Sequence, residues 1–119
     1  MDGRGKVERV KGFLDRNVLK KVTLEEAAAS VALSPKYLSR IFKQHTSEGF
    51  NAYKLKGKIR QAKLFLQKTG YNIDQIADKL GYQNPESFIR QFKKIVKSTP
   101  TEFRRKFRKT SVTKKKQRF

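Results

Sequence analysis

Two arginines about fifty residues apart, Arg40 and Arg90, stand in matching segments, Leu38-Ser-Arg-Ile-Phe-Lys43 and Phe88-Ile-Arg-Gln-Phe-Lys93. Helical spacing puts Leu38, Ile41, Phe42 and His45 on one stripe, leaving Lys36, Ser39, Arg40 and Lys43 on the opposite face. In the second segment Phe88, Phe92 and Ile95 form the stripe, and Glu86, Arg90, Lys93 and Lys97 face away. An arginine in the middle of such a face carries a planar fork of donors that matches O6 and N7 of guanine in the DNA major groove. Lysines at the trailing end, Lys43, Lys93 and Lys94, suit phosphates, which position a protein without reading sequence, and Asn84 and Thr101 are expected to join them. Ser39 could bond a base or a phosphate. Ile89, at the equivalent place, either meets a thymine methyl or is partly buried against a neighbouring helix. For Tyr37 the alternatives are packing and a backbone contact.

These faces need helices to carry them, and the chain repeats the necessary unit. Leu24-Glu-Glu-Ala-Ala-Ala-Ser-Val-Ala-Leu33 aligns with Ile73-Asp-Gln-Ile-Ala-Asp-Lys-Leu-Gly-Tyr82, just ahead of the two arginine segments. Val7, Val10, Phe13, Leu14 and Val18 predict a first amphipathic helix from about Val7 to Leu19. Thr23 with Glu26 has the pattern of a capping box that opens a second helix ending near Val31. Ser34-Pro35 restarts the chain, serine as N-cap and proline at the first helical position, for a third helix to about His45. A longer helix follows from about Phe50 to Thr69, striped by Leu55, Ile59, Ala62 and Leu66, with Gly70 placed to cap it. At 1.5 Å per residue it spans roughly 30 Å. Asn72 with Gln75 and Asn84-Pro85 then repeat the two starts, and Thr99-Pro-Thr-Glu102 opens a last short helix through Phe103 and Phe107.

The expectation is an all-α fold of about seven helices: two helix-turn-helix subdomains, homeodomain-like, joined by a long linker helix. The boundaries expected are 1–49 for the first subdomain, 50–70 for the linker, 71–109 for the second with its C-terminal helix, and 110–119 for a disordered basic tail. Successive major-groove faces on one side of B-DNA lie about 34 Å apart, so a linker of this length could hold both arginine helices at that spacing.

Composition narrows the partner. The 119 residues hold 30 Lys and Arg against 10 Asp and Glu, a net charge of +20 that points to a polyanion. There is no cysteine, hence no disulfide framework or thiolate metal site. The single histidine, His45, lies on an apolar stripe, and no nucleophile stands beside a base, so neither an enzyme nor a metal or cofactor is expected. No apolar run reaches the roughly 18 residues of a spanning helix, and Met1-Asp-Gly-Arg-Gly lacks a signal peptide's apolar stretch. A cytoplasmic, nucleoid-associated monomer is the expectation. The competing reading is a nonspecific architectural DNA-binding or RNA-binding protein, for which the charge alone would suffice.

Leu24-Glu-Glu-Ala-Ala, Leu33-Ser-Pro-Lys-Tyr-Leu-Ser-Arg-Ile-Phe-Lys43, Ile73-Asp-Gln-Ile-Ala, Gly81-Tyr82, Phe88-Ile-Arg-Gln-Phe-Lys-Lys94 and Thr99-Pro-Thr-Glu-Phe-Arg104 occur in one order and spacing. In these motifs the chain resembles the DNA-binding domain of the AraC/XylS family of bacterial transcription regulators, from about Val7 to Arg105. The resemblance implies two helix-turn-helix subdomains on adjacent major-groove segments of promoter DNA, activation of transcription, and RNA polymerase as a further partner. It carries base contacts to Lys36, Tyr37, Ser39 and Arg40, and to Glu86, Ser87, Ile89 and Arg90. It also implies a regulator that is either free-standing or the output domain of a larger protein. Departures from the family pattern are Ala32, Ser47 and Lys97 where glycine is usual, Gly57 inside the linker helix, and Glu86. A carboxylate there accepts from the amino group of cytosine but is repelled by phosphate.

Overall fold

The computed structural model describes residues 3–117, with side chains described to Arg108. Seven helices follow one another: α1 (Arg4–Arg16), α2 (Leu24–Ser30), α3 (Pro35–Thr46), α4 (Phe50–Lys68), α5 (Ile73–Lys79), α6 (Pro85–Val96) and α7 (Pro100–Gln117). No strand occurs among the described residues. The chain divides into two compact units between Lys58 and Ile59, inside α4.

In the first unit α1, α2 and α3 pack on one another. Val7, Val10 and Leu14 of α1, Ala27 and Ala28 of α2, and Leu38, Ile41 and Phe42 of α3 form the core. The alanines allow α2 and α3 to cross closely. Phe42 is the hub, with the rings of Phe50 and Tyr53 edge-on at 5.8 and 5.5 Å. Tyr53 donates its hydroxyl proton to Asp15 Oδ1 at 3.0 Å. Lys54 donates to the Val22 carbonyl, and burial holds its pKa below the ordinary lysine value. Gly57 is buried beside Leu14 and Val22, and α4 runs through it unbroken.

In the second unit α5 packs on α6 and α6 on α7. Ile59, Ala62 and Leu66 of α4 are buried in this unit, as are Ile76, Ala77, Leu80, Phe88 and Phe92. Tyr82, Phe88, Phe92 and Phe103 form a chain of ring contacts, each 5.4–5.8 Å between centroids.

The helix starts follow the expected caps. Ser34 accepts from the Tyr37 amide at 3.2 Å and Asn84 from the Ser87 amide at 2.8 Å. Asn72 with Gln75 and Thr99 with Glu102 are reciprocal capping boxes. Thr23 closes only half of one: it accepts from the Glu26 amide, while its hydroxyl, not its backbone, faces the Glu26 carboxylate.

Several expectations are corrected. α1 begins at Arg4 and stops at Arg16, where the Asn17 side-chain amide donates to the Phe13 carbonyl at 2.8 Å. Gly70 does not cap α4 through a left-handed backbone, because Gly81 is the only described glycine with positive φ. The end of α4 is capped from a distance. Arg104 donates to the carbonyls of Leu66, Phe65 and Thr69 at 3.1, 3.4 and 3.2 Å. A guanidinium suits the carbonyls at the negative end of the helix dipole.

His45 and Ile95 are exposed rather than buried. They are equivalent residues in the last turns of α3 and α6. Helical period fixes which face a residue shares but not whether a neighbouring element covers it at that height of the helix. The segment expected to be a disordered tail from residue 110 continues as helix to Gln117, and the last two residues lie outside the described ones. No glycine or proline interrupts it, and lysine and glutamine are good helix formers.

Candidate nucleic-acid interface

Each unit presents its second helix in the same way. A seven-residue helix ends in a turn containing one left-handed residue, Ala32 at φ 56° or Gly81 at φ 87°. A polar N-cap and a proline follow, then a twelve-residue helix closed by another left-handed residue, Ser47 at φ 62° or Lys97 at φ 74°. All three non-glycine residues in this list stand where glycine is usual. The backbone conformation is kept and the side chain bears the cost, about 1–2 kcal/mol for an L residue in this region.

On α3 Lys36, Tyr37, Ser39, Arg40 and Lys43 are all exposed. Lys36, Ser39, Arg40 and Lys43 line an open groove of ≈ 550 Å³ together with Leu24 and Gln44. Leu24 and Gln44 escaped the reading of the sequence. Gln44 occupies the place in its repeat that Lys94 occupies in the other, so aligning the two helices to their ends would have found it. Tyr37 lies beside the groove with its ring under the Arg40 guanidinium, 5.2 Å from Cζ to the ring centroid.

On α6 Glu86, Arg90, Lys93 and Lys94 are exposed, while Ser87 and Ile89 are half-buried. Ile89 therefore retains an accessible edge. Asn84 is exposed, yet its Oδ1 is taken by the Ser87 amide, which leaves its side-chain nitrogen for any outside partner. Thr101 is exposed in the first turn of α7.

Charge near the helix starts differs between the units. Lys36 adds a cation to the positive end of the α3 dipole, which disfavours the helix and favours an approaching anion. Glu86 at the same place in α6 is matched to the dipole and offsets that field. The ion pairs Lys11–Glu8 and Lys56–Glu48 lie away from these faces. A bare cationic helix face beside an open groove can bind phosphates and offer donors to base edges.

A family model described as a helix-turn-helix domain matches residues 27–106. The chain belongs to the AraC-type helix-turn-helix family. It is 38% identical over 87 residues, 73% of its length, to the uncharacterized HTH-type transcriptional regulator YtdP of Bacillus subtilis. It spans 11% of that protein and 35% each of YijO of Escherichia coli and PocR of Salmonella typhimurium. The C-terminal domain of AraT, a response regulator from Geobacillus stearothermophilus, is 30% identical, with a TM-score of 0.79 over 85% of this chain and 84% of that one. The DNA-binding domain of AdpA, solved in complex with a target DNA, shares the fold: TM-score 0.82 at 20% identity over 92% of this chain and 96% of that one. The family is one of DNA-binding transcription-regulator domains and is not typically enzymatic. No helix among the described residues is long and apolar enough to cross a membrane.

Proposed function

We propose that this AraC-type chain is a sequence-specific double-stranded DNA reader of a transcription regulator, and that it activates transcription at promoters by working with RNA polymerase. The observation that supports this most is the convergence of Lys36, Ser39, Arg40 and Lys43 on one open groove, with Arg90 in the same register of the second repeat. Arg40 and Arg90 read guanine, Lys36, Ser39, Ser87, Ile89 and Glu86 adjust the neighbouring positions, and Lys43, Lys93, Lys94, Thr101 and Asn84 hold phosphates. Because the reading residues differ between the repeats, a single copy of the chain recognises an asymmetric site on two adjacent groove segments. The chain acts as a monomer on the nucleoid, either alone or as the output domain of a longer regulator.

Selection of bound duplexes from a random pool tests this directly. Two dissimilar half-sites about one helical turn apart are expected; a pool without preference would leave only a nonspecific basic protein. With 6–10 phosphate contacts, affinity for the selected site should fall by roughly 10³ to 10⁵ between 50 and 200 mM salt. Arg40→Ala should cost about 1–3 kcal/mol at one base position. Equal loss on every sequence would make Arg40 a phosphate contact.

A further inference from the structure

Arg40 is not a free arginine on a helix surface. Its guanidinium lies over the ring of Tyr37, one turn earlier in α3. The Tyr37 backbone stands in the first turn behind the cap, where its amide donates to Ser34 Oγ at 3.2 Å. Tyr37 is 39% exposed and is not part of the core. The Tyr37 ring lies against the Arg40 guanidinium and orients it. Arginine stacks on aromatic faces through its planar cation, and a pre-ordered fork loses less rotamer freedom for each hydrogen bond it makes. In α6 the equivalent of Tyr37 is Ser87, whose side chain offers no face on which Arg90 could stack.

We propose that Tyr37 is a positioning residue: it holds the Arg40 guanidinium ready for its base, so the first unit reads with a pre-ordered arginine and the second with one that no equivalent ring holds. The proposal rests on the reading of Arg40 as a base contact. It assigns Tyr37 a role through Arg40 and not a base contact of its own.

The test measures affinity of the whole chain for its selected duplex, for duplexes changed at the guanine assigned to Arg40, and for unrelated DNA. Tyr37→Phe keeps the ring and should keep the discrimination. Tyr37→Ala and Tyr37→Leu should lower discrimination at that base about two- to fivefold, with affinity for unrelated DNA unchanged. Thermal melts of the three variants should coincide with the parent, since the ring is on the surface; Tyr37→Leu keeps apolar bulk if alanine does not. Ser87→Tyr should raise discrimination at the base assigned to Arg90. Unchanged discrimination in both Tyr37→Ala and Tyr37→Leu overturns the proposal, as does equal loss on all DNA, which would mark a phosphate contact. Loss in Tyr37→Phe as large as in Tyr37→Ala also overturns it, by assigning the contact to the hydroxyl. Arg40→Ala without a base-specific loss would overturn the reading of Arg40 first, and the role of Tyr37 with it.

Discussion

The two units share a frame and differ in what the frame presents. α2 with α3 and α5 with α6 have the same lengths, the same proline after the N-cap, and left-handed residues at the same two places. On that common scaffold the first unit carries Lys36, Tyr37, Ser39, Arg40 and Gln44, and the second carries Glu86, Ser87, Ile89, Arg90 and Lys94. On the proposed reading, a lysine against the dipole and a stacked arginine suit the first unit to strong, oriented attachment. On the same reading, a glutamate matched to the dipole, with a half-buried isoleucine, weakens attraction to phosphate in the second and makes it more dependent on base identity. The repeats share a backbone geometry, even with different residues at the caps and left-handed places, and differ in what they present outward.

The comparison is sharpest where the units are held together differently. Arg104 donates to two α4 carbonyls and to that of Thr69 just beyond it in the second unit, and hydrogen bonds to a charged group contribute about 1.5–3 kcal/mol. Arg104→Ala should therefore lower protection from amide hydrogen exchange by about 2–3 kcal/mol at the end of α4 and in α7, and leave α2 and α3 unchanged. Loss spread evenly over both units would show that they unfold as one body.

A smaller effect separates the two turns. Gly81→Ala places a methyl on a residue at φ 87° and should destabilise its unit by about 1–2 kcal/mol. Ala32→Gly relieves the same conformation and should stabilise the first unit by up to about 1 kcal/mol in denaturant melts. Opposite signs are the expectation; equal signs would mean that the turns are not equivalent.

The smallest effect is one of pH. The Thr99 amide and hydroxyl hold the Glu102 carboxyl below its usual 4.5. A depressed carboxyl contributes stability that is complete above its unfolded value and is lost as pH falls through its folded value. Helicity of α7 should thus decline below about pH 4.5, and Glu102→Gln, which can still accept from Thr99, should flatten that decline. A slope identical to the parent's would assign the acid loss to other carboxyls.

Much of the fold was legible because its signals are local. Caps such as Ser34, Asn72, Asn84 and Thr99 act within three residues, and the stripe of Leu38, Ile41 and Phe42 repeats within a turn. The outward face of α3 followed from that stripe by exclusion, and Arg40 with it. The errors of burial fell in the last turns of α3 and α6, where the period continues to His45 and Ile95 but neither is covered. Gln44 was missed because it stands in that same last turn, beyond the residues on which the repeat was aligned.

From residue types and spacing alone came the helices, their duplication, the cationic reading faces and the family. Three things needed the folded chain. Arg104 caps a helix 38 residues earlier, which depends on α7 docking in its unit. The Arg40 guanidinium settles over the Tyr37 ring rather than into solvent, a choice among rotamers that spacing permits but does not select. Ala32, Ser47 and Lys97 keep the left-handed backbone that glycine would take more readily, because packing of the paired helices on either side outweighs a cost of about 1–2 kcal/mol at each.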